Sequence, residues 1–321
     1  MRIGTGNLYG SPVNPVALLS YDRRKTLGAM MKRNILIVHP FTPYEPGRFF
    51  EDALREIGFQ FTLCDHGVDF NTINQNLYDA VLFIESPWRL PDPVLNIQRV
   101  TIPKFYWVVH GESRLDFNIQ KAREYQINYM LLANSYHLAP RYGGMLCYPL
   151  PMAVDLRYFA PYNRPLVNRQ YDISFIGSFA PATFYAERNR LLKLIQNSFP
   201  HLRLKFSQGL YLDQLGDVYG NSKIVFNWNY MNILTVRPFE AMAGGAVLLT
   251  NPANGIEYLG QNRLHYVMYR NDPDIINKIN FYLANPSKSV KVMTNGYQMI
   301  ASGHTYIHRA REFERILSTY V

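Results

Sequence analysis

The sequence predicts an α/β protein built from two Rossmann-like domains. Short apolar runs alternate with helical segments along the chain, and the runs lack the polar alternation of half-exposed strands. Strands of this kind are covered on both faces, as in a parallel sheet between layers of helices. The length of 321 residues exceeds a usual single domain, and a proline-rich stretch interrupts the pattern near the middle. Two domains, each with its own core, are therefore expected.

The first domain is expected over residues 32–155. It opens with the apolar run Asn34-Ile-Leu-Ile-Val-His, followed by a helix near residues 49–57 that ends at Gly58. Further buried strands are expected to begin at Phe59, Asp79, Lys104 and Tyr129. Residues 1–31 precede the first strand and are interpreted as a poorly ordered N-terminal extension.

The second domain is expected over residues 156–305, after a proline-rich linker at 148–161. Its helices are predicted at 184–197, 272–284 and 287–302. A final helix, 306–321, carries a mixed charged face and is expected to pack back onto the first domain. The strands of the second domain are predicted to begin at Tyr171, Leu202, Lys223, Ala246 and Leu264.

Composition narrows the class of protein. The 33 basic and 24 acidic residues give a net charge of +9, which favours anionic partners without specifying one. The two cysteines, Cys64 and Cys147, form no CxxC pair or His/Cys cluster, which argues against a disulfide framework and a structural zinc site. Because no run of about 18 apolar residues occurs, no transmembrane segment is expected and a cytoplasmic location is predicted.

The turn after the first strand of the second domain is a candidate anion site. Gly177 and Ser178 lie between this strand and a helix, where backbone amides can face an anion. Arg188 falls on the apolar face of that helix, with Leu191 and Ile195. A buried guanidinium needs an anionic partner, which is either a structural carboxylate or a bound diphosphate.

The segment Arg237-Pro-Phe-Glu240 is the most informative motif. The proline suits the first position of a helix, and Gly244-Gly245 ends that helix before another buried strand. A glutamate in the first turn can simply complement the helix dipole. It can also accept both hydroxyl protons of a ribose while Arg237 and the helix amides face phosphates.

Four stretches of the chain resemble CgeB-like glycosyltransferases, which are related to the large family-four group. The residues from Arg237 to Thr250 resemble the donor-site segment, and Tyr171-Asp-Ile-Ser-Phe-Ile-Gly-Ser resembles the first strand and phosphate loop. Leu150-Pro-Met-Ala-Val-Asp-Leu-Arg-Tyr-Phe resembles the interdomain linker, and His304-Thr-Tyr-Ile-His-Arg resembles the C-terminal signature. The resemblance implies the GT-B fold, in which two Rossmann-like domains face each other across a cleft.

The resemblance also implies that the two domains bind different substrates. The second domain would hold a nucleotide-sugar donor, a UDP-sugar in first place, and the first domain would hold the acceptor, with no metal or cofactor required. Glu240 corresponds to the ribose-binding glutamate, whereas Asn232 stands where many family-four enzymes have a second glutamate. The nucleotide site is predicted to include Gly177, Ser178, Arg188, Arg237, Phe239 and Glu240, and the donor sugar and phosphates are assigned to Asn232, Leu234 and Thr235.

Catalysis would need charge compensation and, for an inverting enzyme, a general base. Arg237 and Arg188 are the candidates for stabilising the diphosphate leaving group. His110, Glu112 and Glu85 lie at predicted strand ends that face the cleft and are the candidate bases. A retaining enzyme demands no such base.

Two other functions and several acceptors stay open at this level. A nucleotide-sugar epimerase of GT-B form would share the architecture, and a non-catalytic nucleic-acid-binding protein would suit the charge and the many aromatic residues. The acceptor is undetermined, and the positive charge favours a polyanion such as modified DNA or a surface polymer. The oligomeric state is also left open.

Overall fold

We describe the chain from a computed structural model that covers residues 33–40, 42–86, 93–180 and 183–321. The N-terminal extension predicted at residues 1–31 lies outside these described residues. Two parallel sheets, each with its own buried core, organise the rest of the chain. Within the described residues, no helix is both long and apolar enough to cross a membrane.

The N-terminal sheet is parallel throughout and has the strand order β2-β1-β4-β6-β7-β8. Its central strands are buried on both faces, as their unbroken apolar runs predict. A two-stranded parallel pair, β3 with β5, lies beside it in the chain. The elements of this half are β1 (Asn34–Val38), α1 (Pro46–Glu56), β2 (Gln60–Cys64), β3 (Val68–Asp69), β4 (Ala80–Ile84), β5 (Val94–Leu95), β6 (Lys104–Val108), α2 (Leu115–Glu124), β7 (Tyr129–Leu132) and β8 (Leu146–Pro149).

The C-terminal sheet is also parallel and has the order β10-β9-β11-β12-β13. Leucine, isoleucine and valine side chains from its strands pack under the helices that flank the sheet. The elements of this half are α3 (Leu156–Phe159), β9 (Tyr171–Ile176), α4 (Ala186–Ser198), β10 (Leu204–Ser207), α5 (Leu212–Gly220), β11 (Ser222–Phe226), α6 (Arg237–Ala243), β12 (Val247–Thr250), β13 (Val267–Met268), α7 (Asp272–Ala284) and α8 (Pro286–Gly303).

The strand orders locate the places where ligands bind. In each sheet the chain reverses its direction of winding at one point, between β1 and β4 in the first and between β9 and β11 in the second. Open α/β sheets bind ligands outside the carboxyl ends of the strands at such a switch point. Functional residues are therefore expected in the segments that follow β1, β4, β9 and β11.

The last helix, α9 (Tyr306–Leu317), returns to the N-terminal half and packs against α1. Phe313 is fully buried there, with its ring 5.9 Å from Phe50 and 5.4 Å from Phe105. Arg309 is also buried and donates to the carbonyl oxygens of Pro151 at 2.7 Å and Met152 at 3.0 Å. The helix thus joins the first core while its arginine holds the linker between the two halves.

Several predicted elements have other bounds in the structure, and two of them, both in the C-terminal half, have a clear local cause. The helix predicted from Phe184 begins at Ala186, because residues 183–185 form a tight 3₁₀ turn. Phe184 leaves the apolar stripe as a result and is 43% exposed. The strand predicted from Leu264 is reduced to Val267–Met268, since the preceding residues form a turn in which the His265 amide donates to Gln261.

Candidate functional site

Arg237 lies across the carboxyl ends of β9 and β11, at the switch point of the C-terminal sheet. Its Nε donates to the carbonyl oxygen of Ile176 at 3.1 Å, and one Nη donates to the side chain of Asn227 at 2.9 Å. The guanidinium also covers the ring of Phe175, 4.6 Å from its centroid. A Cβ on Gly177 would come within 2.7 Å of the guanidinium, so this close approach requires glycine.

Arg188 reaches the same strand end from α4. It is 5% exposed, donates to the carbonyl oxygen of Ser178, and packs on the rings of Tyr185 at 3.8 Å and Phe175 at 5.2 Å. Burial and the nearby charge of Arg237 lower the pKa of Arg188 to about 10. Its Nε has no hydrogen-bond partner among the described residues, and it forms no ion pair with a described carboxylate. The interpretation that a structural carboxylate neutralises Arg188 is therefore not supported.

Several backbone amides around the predicted phosphate turn and at the start of α6 are used within the protein. The amide of Gly177 donates to Ser207, that of Phe179 donates to Gln208, and that of Ala180 donates to the hydroxyl of Ser178. In α6, the amides of residues 239 and 240 both donate to the carbonyl oxygen of residue 236. Ser178 serves instead to position Arg188. The positive charge at this switch point is consequently supplied by the two arginine side chains.

Glu240 lies one turn into α6, close to Arg237. Its side chain is partly buried and has no hydrogen bond to a described residue. Burial raises the pKa of Glu240 to about 7, although the charge of Arg237 acts to lower it. Tyr306, the first residue of α9, lies close by: burial and the charge of Glu240 raise the pKa of its hydroxyl, which has no partner among the described residues. A carboxylate this poorly satisfied is ready to accept hydroxyl protons from a ligand.

A network of three asparagines, of which Asn227 and Asn229 are buried, supports Arg237 and was not predicted. Asn227 donates to Asn229 and to the hydroxyl of Thr250, both at 2.9 Å. Asn251 donates to the carbonyl oxygen of Asn229 at 3.1 Å and accepts from its amide at 2.6 Å. These residues follow β11 and β12 directly, so their position at strand ends was the signal available in the sequence.

The residues predicted around the donor sugar separate into two groups. Asn232 is exposed, has a φ of 58°, and accepts from the backbone amide of Asn254 at 2.7 Å. Thr235 has a buried hydroxyl without a hydrogen-bond partner among the described residues. Leu234 is 2% exposed and Phe239 is fully buried, so neither side chain offers a surface to a ligand. Both belong to the core that supports the site.

Glu85 organises the switch point of the N-terminal sheet. It is buried and accepts from the backbone amides of Val109 and His110, both at 2.8 Å, and from Asn118 at 3.3 Å. Burial alone would raise the pKa of Glu85, but hydrogen bonds and the charge of His110 lower it below the usual range. A carboxylate so fully used fixes the loop after β6, and this favours His110 and Glu112 over Glu85 as proton acceptors.

His110 and Glu112 stand on the loop that Glu85 holds. The His110 side chain is 39% exposed, and its Nδ1 lies 3.8 Å from Glu85. Glu112 is 9% exposed and contacts two groups, the imidazole of His137 at 3.5 Å and the amide of Asn254 at 3.4 Å. Burial raises the pKa of Glu112, against the effect of its hydrogen bonds, and its Oε2 has no partner among the described residues. Through Asn254, Glu112 touches the C-terminal half beside Asn232.

Three further residues with ionisable side chains at this switch point were not predicted from the sequence. His39 follows β1 and pairs with Glu51 at 2.6 Å, with both side chains 1% exposed. Glu45 is close enough to His39 and His110 to be influenced by their charges, and it accepts from Ser86 at 3.4 Å; burial raises its pKa. Only His39 had the signal of a polar residue directly after a buried strand, whereas Glu45 and Glu51 come from the start and the middle of α1.

The two histidines of the C-terminal signature are engaged structurally. Nδ1 of His304 accepts from Arg309 at 2.8 Å, and burial, together with the charge of Arg309, lowers the pKa of His304 to about 4. Nδ1 of His308 pairs with the hydroxyl of Thr305 at 2.7 Å. Within the described residues, no group of three or more His, Cys, Asp or Glu side chains is placed to hold a metal ion.

Comparison with known proteins agrees with this geometry. Residues 164–315, just under half of the chain, match the family model described as "Glycosyl transferase-like". This segment holds the arginines, the asparagine network and Glu240. The chain is a glycosyltransferase of GT-B fold. A comparison of the sequence with curated proteins gave no match.

Solved structures similar to this glycosyltransferase are distant in sequence and share its fold over their whole length. Sucrose-phosphate synthase from Thermosynechococcus elongatus has a TM-score of 0.60 at 12% identity, covering 89% of this chain and 98% of its own. HepE from Anabaena, solved with UDP and glucose, has a TM-score of 0.59 at 11% identity, covering 89% and 99%. BGT of phage T4, solved with its UDP-glucose substrate, has a TM-score of 0.56 at 11% identity, covering 89% and 99%.

Proposed function

We propose that this glycosyltransferase transfers a sugar from a nucleotide diphosphate sugar, in first place a UDP-sugar, to a hydroxyl held on the N-terminal half. The observation that carries the proposal is the meeting of Arg188, Arg237 and Glu240 at one switch point. Two guanidiniums that form no ion pair with a described carboxylate suit a diphosphate, and a poorly satisfied carboxylate suits the hydroxyls of a ribose. The choice of UDP follows HepE and BGT, which were solved with UDP-glucose.

In this proposal the arginines act on the leaving group. As the bond to the sugar breaks, negative charge grows on the diphosphate, and fixed guanidiniums already aligned by Ile176, Asn227 and Ser178 stabilise it. These side chains supply the compensation without a required metal or cofactor. Thr235 offers its unpartnered hydroxyl to the same phosphates, and Asn232 faces the donor sugar.

The finer identity is also a proposal. We infer a CgeB-like, cytoplasmic enzyme whose acceptor is anionic, with modified DNA and a surface polymer as the leading classes. The net charge of +9 supports an anionic acceptor. An epimerase of the same fold would convert the free sugar nucleotide without any acceptor, so the requirement for an acceptor separates the two activities.

A panel of UDP-, GDP-, TDP- and CDP-sugars is expected to show a selective rise in the melting temperature with UDP-glucose. A donor that binds the folded state at a hundred times its Kd adds about 2.7 kcal/mol to the free energy of unfolding. The measurement is a thermal shift at fixed protein concentration, with Glu240→Gln as the matched variant of reduced affinity. If no sugar nucleotide raises the melting temperature, the donor site is assigned wrongly.

We propose Glu112 as the proton acceptor for the acceptor hydroxyl. Glu112→Gln is expected to slow the transfer of glucose from UDP-glucose to water, measured as release of UDP, by about 10²- to 10⁴-fold. This is the range typical of general bases. Donor affinity should stay unchanged, because Glu112 belongs to the other half of the chain. Glu124→Gln, which alters an exposed carboxylate paired with Lys121, is the matched control. Equal rates in the two variants would point to a mechanism without this base.

A further inference from the structure

Two adjoining cavities open on the N-terminal half beside Glu112. Each has a volume of about 430 Å³, in the range of small-ligand sites. They share Asp116 and Arg141, so they form one continuous concave surface. We call this surface the α2 groove. It is lined by Glu112, Ser113, Arg114, Leu115, Asp116, Phe117, Ile119, Gln120, Arg123 and Arg141.

The α2 groove carries two arginines that have no side-chain partner within the described part of the chain. Arg123 and Arg141 are exposed, and neither forms a side-chain hydrogen bond or ion pair with a residue that the structure describes. Arg114 differs, because it is held by the carbonyl oxygen of Ser86 at 3.2 Å and by Glu85 at 3.4 Å. Free guanidiniums that face a concave surface suit the planar, forked recognition of a phosphate group.

The end of the groove that Glu112 lines suits a ligand hydroxyl rather than an anion, because Glu112 is a carboxylate. Glu112 lines it with a side chain only 9% exposed, and its buried Oε2 has no partner among the described residues. A buried carboxylate oxygen in this state is stabilised by an O–H donor from a ligand. The same side chain contacts Asn254, next to Asn232 on the donor side. A hydroxyl at Glu112 would therefore lie at the junction of the two halves.

These contacts identify one chemical class of acceptor. We propose that the acceptor is a phosphate ester that also bears a hydroxyl: its phosphate binds Arg123 and Arg141 in the α2 groove, while its hydroxyl meets Glu112. The inference rests on the proposed glycosyltransferase function and specifies its acceptor. Asp116 lines both cavities, and its carboxylate limits the groove to a ligand that places its phosphate beside the guanidiniums and turns its hydroxyl-bearing part toward Glu112.

The test is a calorimetric titration of the full chain with three probes: glycerol 3-phosphate, bis(glycerol) phosphate and glycerol. The two phosphate esters are expected to bind and glycerol is not; the monoester and the diester distinguish a small acceptor from a repeating phosphodiester. The double substitution Arg123→Gln/Arg141→Gln should weaken phosphate-ester binding at least tenfold and flatten its dependence on salt. Arg99→Gln, an exposed arginine of the same half that lies outside the groove, should bind as the unaltered chain does.

UDP-glucose binding, measured on the same samples, separates the two proposals. If UDP-glucose binds but no phosphate ester does, or if the double variant binds the esters as well as the unaltered chain, the acceptor inference is overturned and the donor site stands. If UDP-glucose does not bind even the unaltered chain, both fail. Selective loss of ester binding in the double variant, with UDP-glucose binding retained, supports the inference.

Discussion

Replacement of Arg237 by glutamine is expected to lower kcat/KM for UDP-glucose by about 10²- to 10³-fold, or roughly 3 to 4 kcal/mol of transition-state stabilisation. The guanidinium is held at both strand ends of the switch point, by Ile176 and Asn227, and so is aligned before charge develops on the diphosphate. Glutamine removes the charge and the fork. The effect should fall mainly on kcat, because the charge of the leaving group grows in the transition state.

Two companion variants separate the role of the charge from that of the scaffold. Arg237→Lys keeps the positive charge but loses the forked contacts, so partial activity is expected. Asn227→Ala keeps the guanidinium and removes one of its supports, and the loss should be smaller than that of Arg237→Gln. Melting temperatures without donor are the control for folding. Full activity of a folded Arg237→Gln protein would exclude this arginine from the reaction.

Glu240→Gln is expected to weaken UDP-glucose binding by about ten- to a hundredfold at pH 8. It is also expected to abolish the dependence of donor affinity on pH that the carboxyl group causes. Hydrogen bonds to a charged group contribute roughly 1.5 to 3 kcal/mol each. With the pKa of Glu240 raised to about 7, the carboxyl of the free protein is mostly protonated at pH 6. Binding to the carboxylate must release that proton, so donor affinity should rise between pH 6 and pH 8 and then level off.

The raised pKa of Glu240 affects the stability of the donor-free protein in the opposite direction to donor affinity. Because the folded pKa lies above the unfolded value of 4.5, the neutral form is favoured on folding, and stability decreases as the pH rises from about 4.5 through 7. Glu240→Gln should therefore stabilise the donor-free chain at pH 8 by up to roughly 3 kcal/mol, and much less at pH 5. Calorimetry of UDP-glucose binding and chemical denaturation, each at several pH values, measure both effects. An unchanged pH profile in the variant would show that another group titrates.

Several parts of the site followed from local rules. A polar residue directly after a buried strand lies at the carboxyl edge of a parallel sheet, which is why His110, Glu112 and Glu85 were named as candidates. The proline and glycines around Glu240 set a short helix after β11, and the apolar spacing placed Arg188 on the buried face of α4. The alternating strands and helices predicted two Rossmann-like domains, and the family resemblance implied the GT-B fold, which the similar solved structures confirm.

Other parts depended on contacts between distant segments. The amides of Gly177 and Phe179 donate to Ser207 and Gln208, and this pairing is fixed by the neighbouring strand β10 and the residue that follows it.

The sequence by itself determined the two α/β halves, the position of the Arg237–Glu240 motif, and the presence of arginines and a glutamate of the kind that the proposed function needs. These features depend on residue type and spacing within short segments. Only the tertiary structure decided that Arg188 pairs with no described carboxylate, that Glu85 holds a loop while one oxygen of Glu112 has no partner among the described residues, and that Arg123 and Arg141 line one groove. The reason is physical: partners of a charged group are chosen by packing between segments far apart in the chain, and local periodicity carries no record of that choice.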